Sequence, residues 1–324
     1  MKWKLSALLV AVVIAALLIP AAASAQSYPT RPITIVAPYP PGASTDFMAR
    51  LLRDPMSEAL GVPIVVDNRP GAGGSTATGN VAVAAPDGYT LLFTVNAPVT
   101  MNKFLQKSYP IDPKEAFAPI VNVAEVQLAL AVHSAVPVKT IPELLAYAKE
   151  RPGKISYGSA GIGSAHHIAG ELLKQKTGID IQHVPYRGGG PAIQDLIAGH
   201  IAMSFGTTPA VLPHAQSGAI RIIALAEAKR DPDMPDVPTI AETVPGVVTA
   251  TWLGLFAPAG TPQAIVDKLN KAAVDALKRP DVIAKMKQQG AKPVGSTPAE
   301  LTNLVRTELD HWAKVIPSIG IQPE

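Results

Sequence analysis

Two segments combine glycines, small hydroxyl residues and the start of a helical pattern, a combination suited to holding an anion with backbone groups. The first is Pro38-Tyr39-Pro40-Pro41-Gly42-Ala43-Ser44-Thr45-Asp46. It follows an apolar run at 33–37 and opens a helical pattern over about 45–60. The prolines stiffen the approach, Gly42 permits a tight backbone path, and Ser44, Thr45 or Asp46 can cap the helix. The first turn of a helix carries free N–H groups and the positive end of the helix dipole, which suits a carboxylate. An ordinary strand-to-helix turn has the same composition, and the residues alone leave both readings open.

The second segment is Tyr157-Gly158-Ser159-Ala160-Gly161-Ile162-Gly163-Ser164-Ala165-His166-His167. It too lies between a predicted strand and a predicted helix, in the other half of the chain. Gly161 and Gly163 let the backbone approach a ligand, and Ser164 is a natural N-cap. Two such turns, one from each half, can close on one anion from both sides. Three softer segments also end predicted strands: Val95-Asn96-Ala97, Val184-Pro185-Tyr186-Arg187-Gly188-Gly189 and Gly206-Thr207-Thr208-Pro209. Arg187 could pair with a ligand carboxylate, although a structural ion pair or a solvated turn is the favoured reading there.

Enzyme signatures fail. Ser159 and Ser164 lack the flanking glycines of a nucleophile elbow. Gly161-Ile162-Gly163 has His166 where a dinucleotide fingerprint needs its third glycine, and neither a Walker loop nor H-E-x-x-H occurs. His166 and His167 are adjacent on a helical pattern and so diverge by about 100°, which disfavours shared metal ligation. The sequence has no cysteine, which excludes thiol chemistry and iron–sulfur clusters. No catalytic residue, cofactor or metal is expected.

Short apolar strands alternate with helical patterns along the chain. Strands are expected at 33–37, 64–67, 89–95, 127–133, 155–158, 181–184, 201–205 and 221–226, with helices at 45–60, 141–150, 164–177, 191–200, 262–278 and 298–315. Such alternation predicts parallel strands joined by crossover helices. No Gly/Ser-rich linker divides the halves. The expected arrangement is two α/β lobes, with the chain crossing between them near Glu125 and again near Thr251. Lobe 1 would hold 26–125 and 251–324, and lobe 2 126–250. The two crossings form a hinge, and the cleft collects turns at the carboxyl ends of strands from both lobes.

The start of the chain reads as a secretory signal over 1–25. Lys2 and Lys4 precede a 15-residue apolar run from Leu5 to Ile19, Pro20 breaks it, and Ala23-Ser24-Ala25 places cleavage before Gln26. Fifteen residues are short for a membrane span of about 20. Without a cysteine there is no site for lipid attachment and no disulfide, so a periplasmic protein of 299 residues held together by its core is expected. Without Lys2 and Lys4, 26 basic residues face 25 acidic ones, with no basic block, which argues against nucleic acid or a membrane surface as partner. Aromatic residues make up only 5%, which argues against a sugar site lined with stacked rings.

At these residues the chain resembles the Bug receptors, the extracytoplasmic binding proteins of tripartite tricarboxylate transporters. The resemblance spans nearly the whole chain after the signal. It includes Tyr28-Pro29-x-Arg31-Pro32-Ile33, the Pro-Pro-Gly-x-x-x-Asp turn and Val66-Asp67-Asn68-Arg69-Pro70-Gly71-Ala72-Gly73-Gly74. It continues through Ala85-Pro86-Asp87-Gly88-Tyr89-Thr90-Leu91-Leu92, Val184-Pro185-Tyr186-Arg187-Gly188, Ala257-Pro258-Ala259-Gly260-Thr261-Pro262 and Gly320-Ile321-x-Pro323-Glu324.

The resemblance implies a two-lobed, type II Venus-flytrap binding protein with a hinge. It implies a ligand carboxylate held between the two turns, largely by backbone N–H groups. That assigns Tyr39, Gly42, Ala43, Ser44, Thr45 and Asp46 to one side of the site, and Ala160, Gly161, Gly163, Ser164 and His166 to the other, with Asn96 and Thr207 as further cleft positions. It also implies a small mono- or dicarboxylate ligand, aromatic or not, membrane transporter subunits as partners, and a monomer. Two departures stand out. Ala43 replaces the family's usual glycine and would be strained if the position needs positive φ. His166 replaces a small polar residue, so an imidazole either reads the far end of the ligand or sits on the helix surface. A ligand-sensing input to a signalling partner is the alternative reading, and a periplasmic hydrolase on a similar fold is the weaker one.

Overall fold

The computed structural model describes residues 28–249 and 251–318. The signal segment with its cleavage site and the tail motif at 320–324 lie outside the described residues.

In chain order the elements begin β1 (Ile33–Ala37), α1 (Ser44–Leu60), β2 (Ile64–Asn68), α2 (Ser75–Ala82), β3 (Thr90–Val95), α3 (Ala97–Thr100) and β4 (Phe117–Val126). They continue with β5 (Leu128–His133), α4 (Ile141–Lys149), β6 (Ile155–Ser159), α5 (Ala165–Thr177), β7 (Ile181–Pro185), α6 (Gly189–Ile197), β8 (Met203–Thr207), α7 (Thr208–Gln216) and β9 (Ile220–Leu225). Last come β10 (Thr251–Pro258), α8 (Gln263–Leu277), α9 (Pro280–Gln288), β11 (Ala291–Pro293) and α10 (Pro298–Ser318). Among the described residues no helix is long and apolar enough to cross a membrane.

Two sheets result. One has six strands in the order β11-β4-β10-β3-β1-β2, and the other five in the order β7-β6-β8-β5-β9. β1, β2 and β3 pair in parallel, as do β6, β7 and β8. The expectation of parallel pairing throughout is corrected by the remaining strands. β10 runs antiparallel to both β3 and β4, and β5 antiparallel to both β8 and β9. β4 and β5 do not pair with each other: only Gln127 separates them, and the chain passes straight from one sheet into the other.

β4 escapes a reading by sequence because Pro119 and Asn122 interrupt its apolar pattern. Pro119 is tolerated because the β4–β10 register shifts beside it, between Leu255 and Phe256. β10 is buried along its whole length. One apolar cluster gathers Val36, Leu92, Trp252 and Phe256 with Leu301, Val305 and Leu309 of α10. A second gathers Leu128, Leu130, Tyr157, Ile168 and Phe205 with Trp312 and Ile316 from the end of the same helix. The last helix thus contributes to the cores beneath both sheets.

Candidate functional site

The loops at the carboxyl ends of β1, β3, β6, β7 and β8 meet at one cavity with about 460 Å³ of empty space, counting the part open to solvent. Its wall takes Tyr39, Ala43 and Ser44 from the β1–α1 turn, Val95 from β3, and Ala160, Ser164, Ala165 and His166 from the β6–α5 turn. Gly189 and Gly190 open α6, Thr207 and Ala210 lie at the start of α7, and Thr251 begins β10. Four helices therefore present their N-terminal turns to one space. No Lys or Arg lines it, so any anion there would be met by helix N-termini and neutral donors.

The β1–α1 turn is held from behind. Asp46 is buried, and its Oδ2 accepts the Gly42 N–H at 2.9 Å while its Oδ1 accepts from Arg50 Nε at 2.9 Å. Arg50 also reaches Asn68 Oδ1, and Asn68 Nδ2 donates to the Tyr39 carbonyl. Asp46 and Gly42 therefore shape the turn and do not line the cavity, and Thr45 is buried beneath it. Ala43 is the N-cap with φ −69° and ψ 160°, and no side chain caps the helix. The expected strain at Ala43 is thus absent: the left-handed residue is Gly42, at φ 84°. Ser44, Thr45 and Asp46 supply first-turn N–H groups that no cap side chain covers.

The β6–α5 turn satisfies itself. Ser164 is the N-cap, as expected, and its Oγ accepts from the His167 N–H at 3.3 Å while donating to the Gly161 carbonyl at 2.7 Å. The Gly161 N–H donates to Ser159 Oγ at 3.1 Å, and the Gly163 N–H to His167 Nδ1 at 3.3 Å. Ser159 Oγ lies 2.6 Å from His183 Nε2, and the His167 and His183 rings stack at 4.1 Å. Burial, reinforced by His167 and Lys174, pushes His183 down to about 3, so it stays neutral. Gly161 and Gly163 accordingly support the wall, whereas Ser164, Ala165 and His166 form it.

Tyr39 is buried, lines the cavity and donates its hydroxyl to the Gly73 carbonyl at 3.3 Å; burial raises its phenol above the ordinary range. His166 is buried as well, not on the helix surface, and burial lowers it to about 4 against an opposing pull from the Phe205 backbone. Thr207 Oγ1 donates to Ser44 Oγ at 3.3 Å, joining the two sheets' loops across the cavity. Asn96 is not in the wall: its Nδ2 donates to Glu308, which also accepts from Thr100 and Trp252. Arg187 is exposed and lines an adjoining surface depression with Gly71–Gly74, Gln106, Ser108 and Gly161, which shares Tyr39 and Ala160 with the cavity.

Thr251, Gly189, Gly190 and Ala210 are wall residues that sequence reasoning missed. Gly189 fell at the end of the strand-end segment 184–189, and the expected helix began only at Pro191, two residues later than the observed start at Gly189. Thr251 was legible only as a crossing point. Where the loops of the two sheets meet, backbone approaches backbone. A Cβ on Gly73, at φ 59°, would lie 2.5 Å from the Ile162 carbonyl oxygen, so glycine is required there.

Two α/β lobes, a hinge and a cleft walled by strand-end loops define a two-lobed solute-binding protein. The chain belongs to the tripartite tricarboxylate transporter family of receptors, whose model matches residues 48–321. It is therefore a periplasmic-type solute receptor and not an enzyme. It is similar to the periplasmic binding protein BugD, at 34% identity and a TM-score of 0.87, covering 92% of this chain and 100% of that one. The Rhodopseudomonas palustris protein Rpa4515, solved with adipate, is 36% identical with a TM-score of 0.88, over 92% of this chain and 100% of the other. MatC from the same organism, with bound malate, is 34% identical with a TM-score of 0.85, over 89% and 100%.

Proposed function

We propose that this protein captures a small organic acid in the periplasm and delivers it to the membrane subunits of a tripartite tricarboxylate-type transporter. The observation that carries the reading is the convergence of four helix N-terminal turns on one cavity that no Lys or Arg lines. A carboxylate is stabilised by such N–H groups and dipole ends, whereas an apolar ligand would leave them unmet. The adipate and malate carried by two relatives support the same ligand class.

In this reading Ser44, Thr45 and Asp46 offer first-turn N–H groups, the Ser44 hydroxyl, which accepts from Thr207, offers its hydrogen, and Tyr39, Ala160 and Ser164 close the sides. Ala43, Gly42, Gly161 and Gly163 set the backbone path. Lobe 1 comprises 26–125 with 251–324 and lobe 2 126–250, hinged at Gln127 and near Thr251; the two separate sheets support this division. The protein leaves the cytoplasm on a signal cleaved before Gln26 and works as a monomer whose rims stay free for the transporter.

A thermal-shift screen against aliphatic and aromatic carboxylates, with sugars and amides as controls, tests the reading. A ligand at 100 times its Kd adds about 2.7 kcal/mol of stability. A shift with an acid that survives long incubation unchanged is the expected result. No shift with any acid, or turnover of one, would sink it.

A further inference from the structure

The side chains of β10 carry two polar groups. Trp252 Nε1 donates to Glu308 at 2.6 Å, whereas Thr251 Oγ1 bonds to nothing among the described residues. Alternation along the strand sends Trp252 into the apolar cluster beneath α10 and Thr251 to the opposite face, where it lines the cavity. Thr251 is only 4% exposed. A buried hydroxyl that the fold leaves unbonded adds nothing to stability, and valine would fill the same shape without an unmet polar atom. The hydroxyl is therefore placed for something that enters the cavity.

Its position says which end of a ligand it would meet. β10 lies two strands from β1, with β3 between them, and runs antiparallel to β3, so its first residue lies at the edge where β1 and β3 end. Neighbouring strands are about 4.8 Å apart, which sets Thr251 about 10 Å from the end of β1. A carboxylate held at the α1 N-terminus leaves the ligand's other end for Thr251. His166 Nδ1, on α5 after the second sheet, lines the same cavity, buried and also without a partner among the described residues. A ring nitrogen is polar in either tautomer, as donor or as acceptor. An apolar ligand tail would leave both atoms unmet, at a cost to binding.

We propose that Thr251 is a specificity-determining residue: its hydroxyl recognises a second polar group on the ligand, a hydroxyl, an amide or a further carboxylate, so that carboxylates with an unsubstituted apolar tail are rejected. This inference rests on the carboxylate-receptor reading and narrows its substrate class. A threonine hydroxyl both donates and accepts, so it discriminates polar from apolar ends and leaves the choice among polar ones to the rest of the wall.

The test is calorimetry on the purified protein at neutral pH with matched probes. Succinate, adipate and terephthalate are each compared with the hydroxy acid, the monoamide and the unsubstituted monocarboxylate of the same length, and the diamides serve as carboxylate-free controls. In at least one series the second polar group is expected to tighten binding about tenfold or more over the unsubstituted monocarboxylate. Thr251→Val should close that gap to within about threefold, weakening the polar ligand while the monocarboxylate holds or tightens. Thr251→Ser, which keeps the hydroxyl, should keep the gap. Without ligand the Thr251→Val melt should stay level or rise, because no bond within the protein is lost. Monocarboxylates that bind as tightly as their partners in every series, or a gap that survives Thr251→Val, overturn this inference and leave the carboxylate reading standing. A Thr251→Val protein that melts lower or fails to fold assigns the hydroxyl to the fold and overturns it as well. Failure of every acid, with or without binding of the diamides, overturns both readings.

Discussion

The two turns that face each other across the cavity are built from similar sequence and divide their hydrogen bonds differently. The β6–α5 turn is closed on itself: Ser164 caps its helix, Ser159 takes the Gly161 N–H, and His167 takes the Gly163 N–H. The β1–α1 turn has Ala43 as its N-cap and no side-chain cap. Its acidic residue, which could have capped the helix, is turned back onto Gly42 and Arg50. One turn is a finished wall that offers side chains. The other leaves its first-turn N–H groups without a side-chain cap. A pair of glycine-rich loops need not contribute symmetrically, and the difference lies in which N–H groups the protein has already bonded.

That comparison breaks most readily at Ser44. Ser44→Pro places proline at the first helical position, where φ is suitable, and Ala43 already holds the extended conformation that a following proline demands. The substitution removes one N–H from the binding face with little strain. Affinity for the cognate acid should fall at least about tenfold, since a hydrogen bond to a charged group contributes about 1.5–3 kcal/mol. The melting temperature without ligand should barely move. Ser44→Ala controls for the bond from Thr207 Oγ1. Calorimetry showing wild-type affinity for Ser44→Pro would mean that the β1–α1 turn is not the donor.

The opposite turn should respond in stability instead. Ser159→Ala strands the buried Gly161 N–H and the part-buried His183 Nε2. Denaturant unfolding should show a loss of about 1–3 kcal/mol, with affinity within about threefold of the parent. A large loss of affinity with unchanged stability would reverse the roles assigned to the two turns.

Glu227 provides a smaller effect outside both turns. Burial, reinforced by Glu125 and Asp231, pushes its carboxyl up to about 7, against opposing contributions from the Leu128 N–H and Lys292. Because the folded protein holds it above its ordinary 4.5, ionising it weakens the fold as pH rises from about 4.5 to about 7. Glu227→Gln should therefore match the parent at pH 4 and melt about 2–4 °C higher at pH 8. An advantage that grows toward acid would contradict that sign. Affinity should be untouched, which calibrates the two turn variants.

Much of this arrangement was legible from sequence. The strand at 33–37, the helices after both turns and the Ser164 cap follow from apolar periodicity and capping chemistry, which are local. What escaped was set by distant contacts. β4 carries Pro119 and Asn122, and only its pairing with β10 shows it to be a strand. Asp46 reads as a cap or a ligand group until Arg50 and Gly42 are seen to occupy both of its oxygens. Asn96 ends a strand at the right place yet serves Glu308. His166 could be read as surface or site; its burial depends on α6, β8 and the loops packed over it.

The placement of β10 also orders events in time. All five strands of the second sheet lie within residues 128–225, whereas β10 inserts between β3 and β4 of the first sheet. Val126 and Thr251 are register partners although 124 residues separate them, from 127 to 250. Closing so long a loop is entropically costly while the intervening chain is loose, and sequence-distant pairings are slow to form. The five-stranded sheet can condense from contiguous chain and shorten that loop. Assembly then runs from the middle outward: a strand made after the whole five-stranded sheet completes the sheet that β1, β2 and β3 began, and the first lobe remains unfinished until β10 arrives.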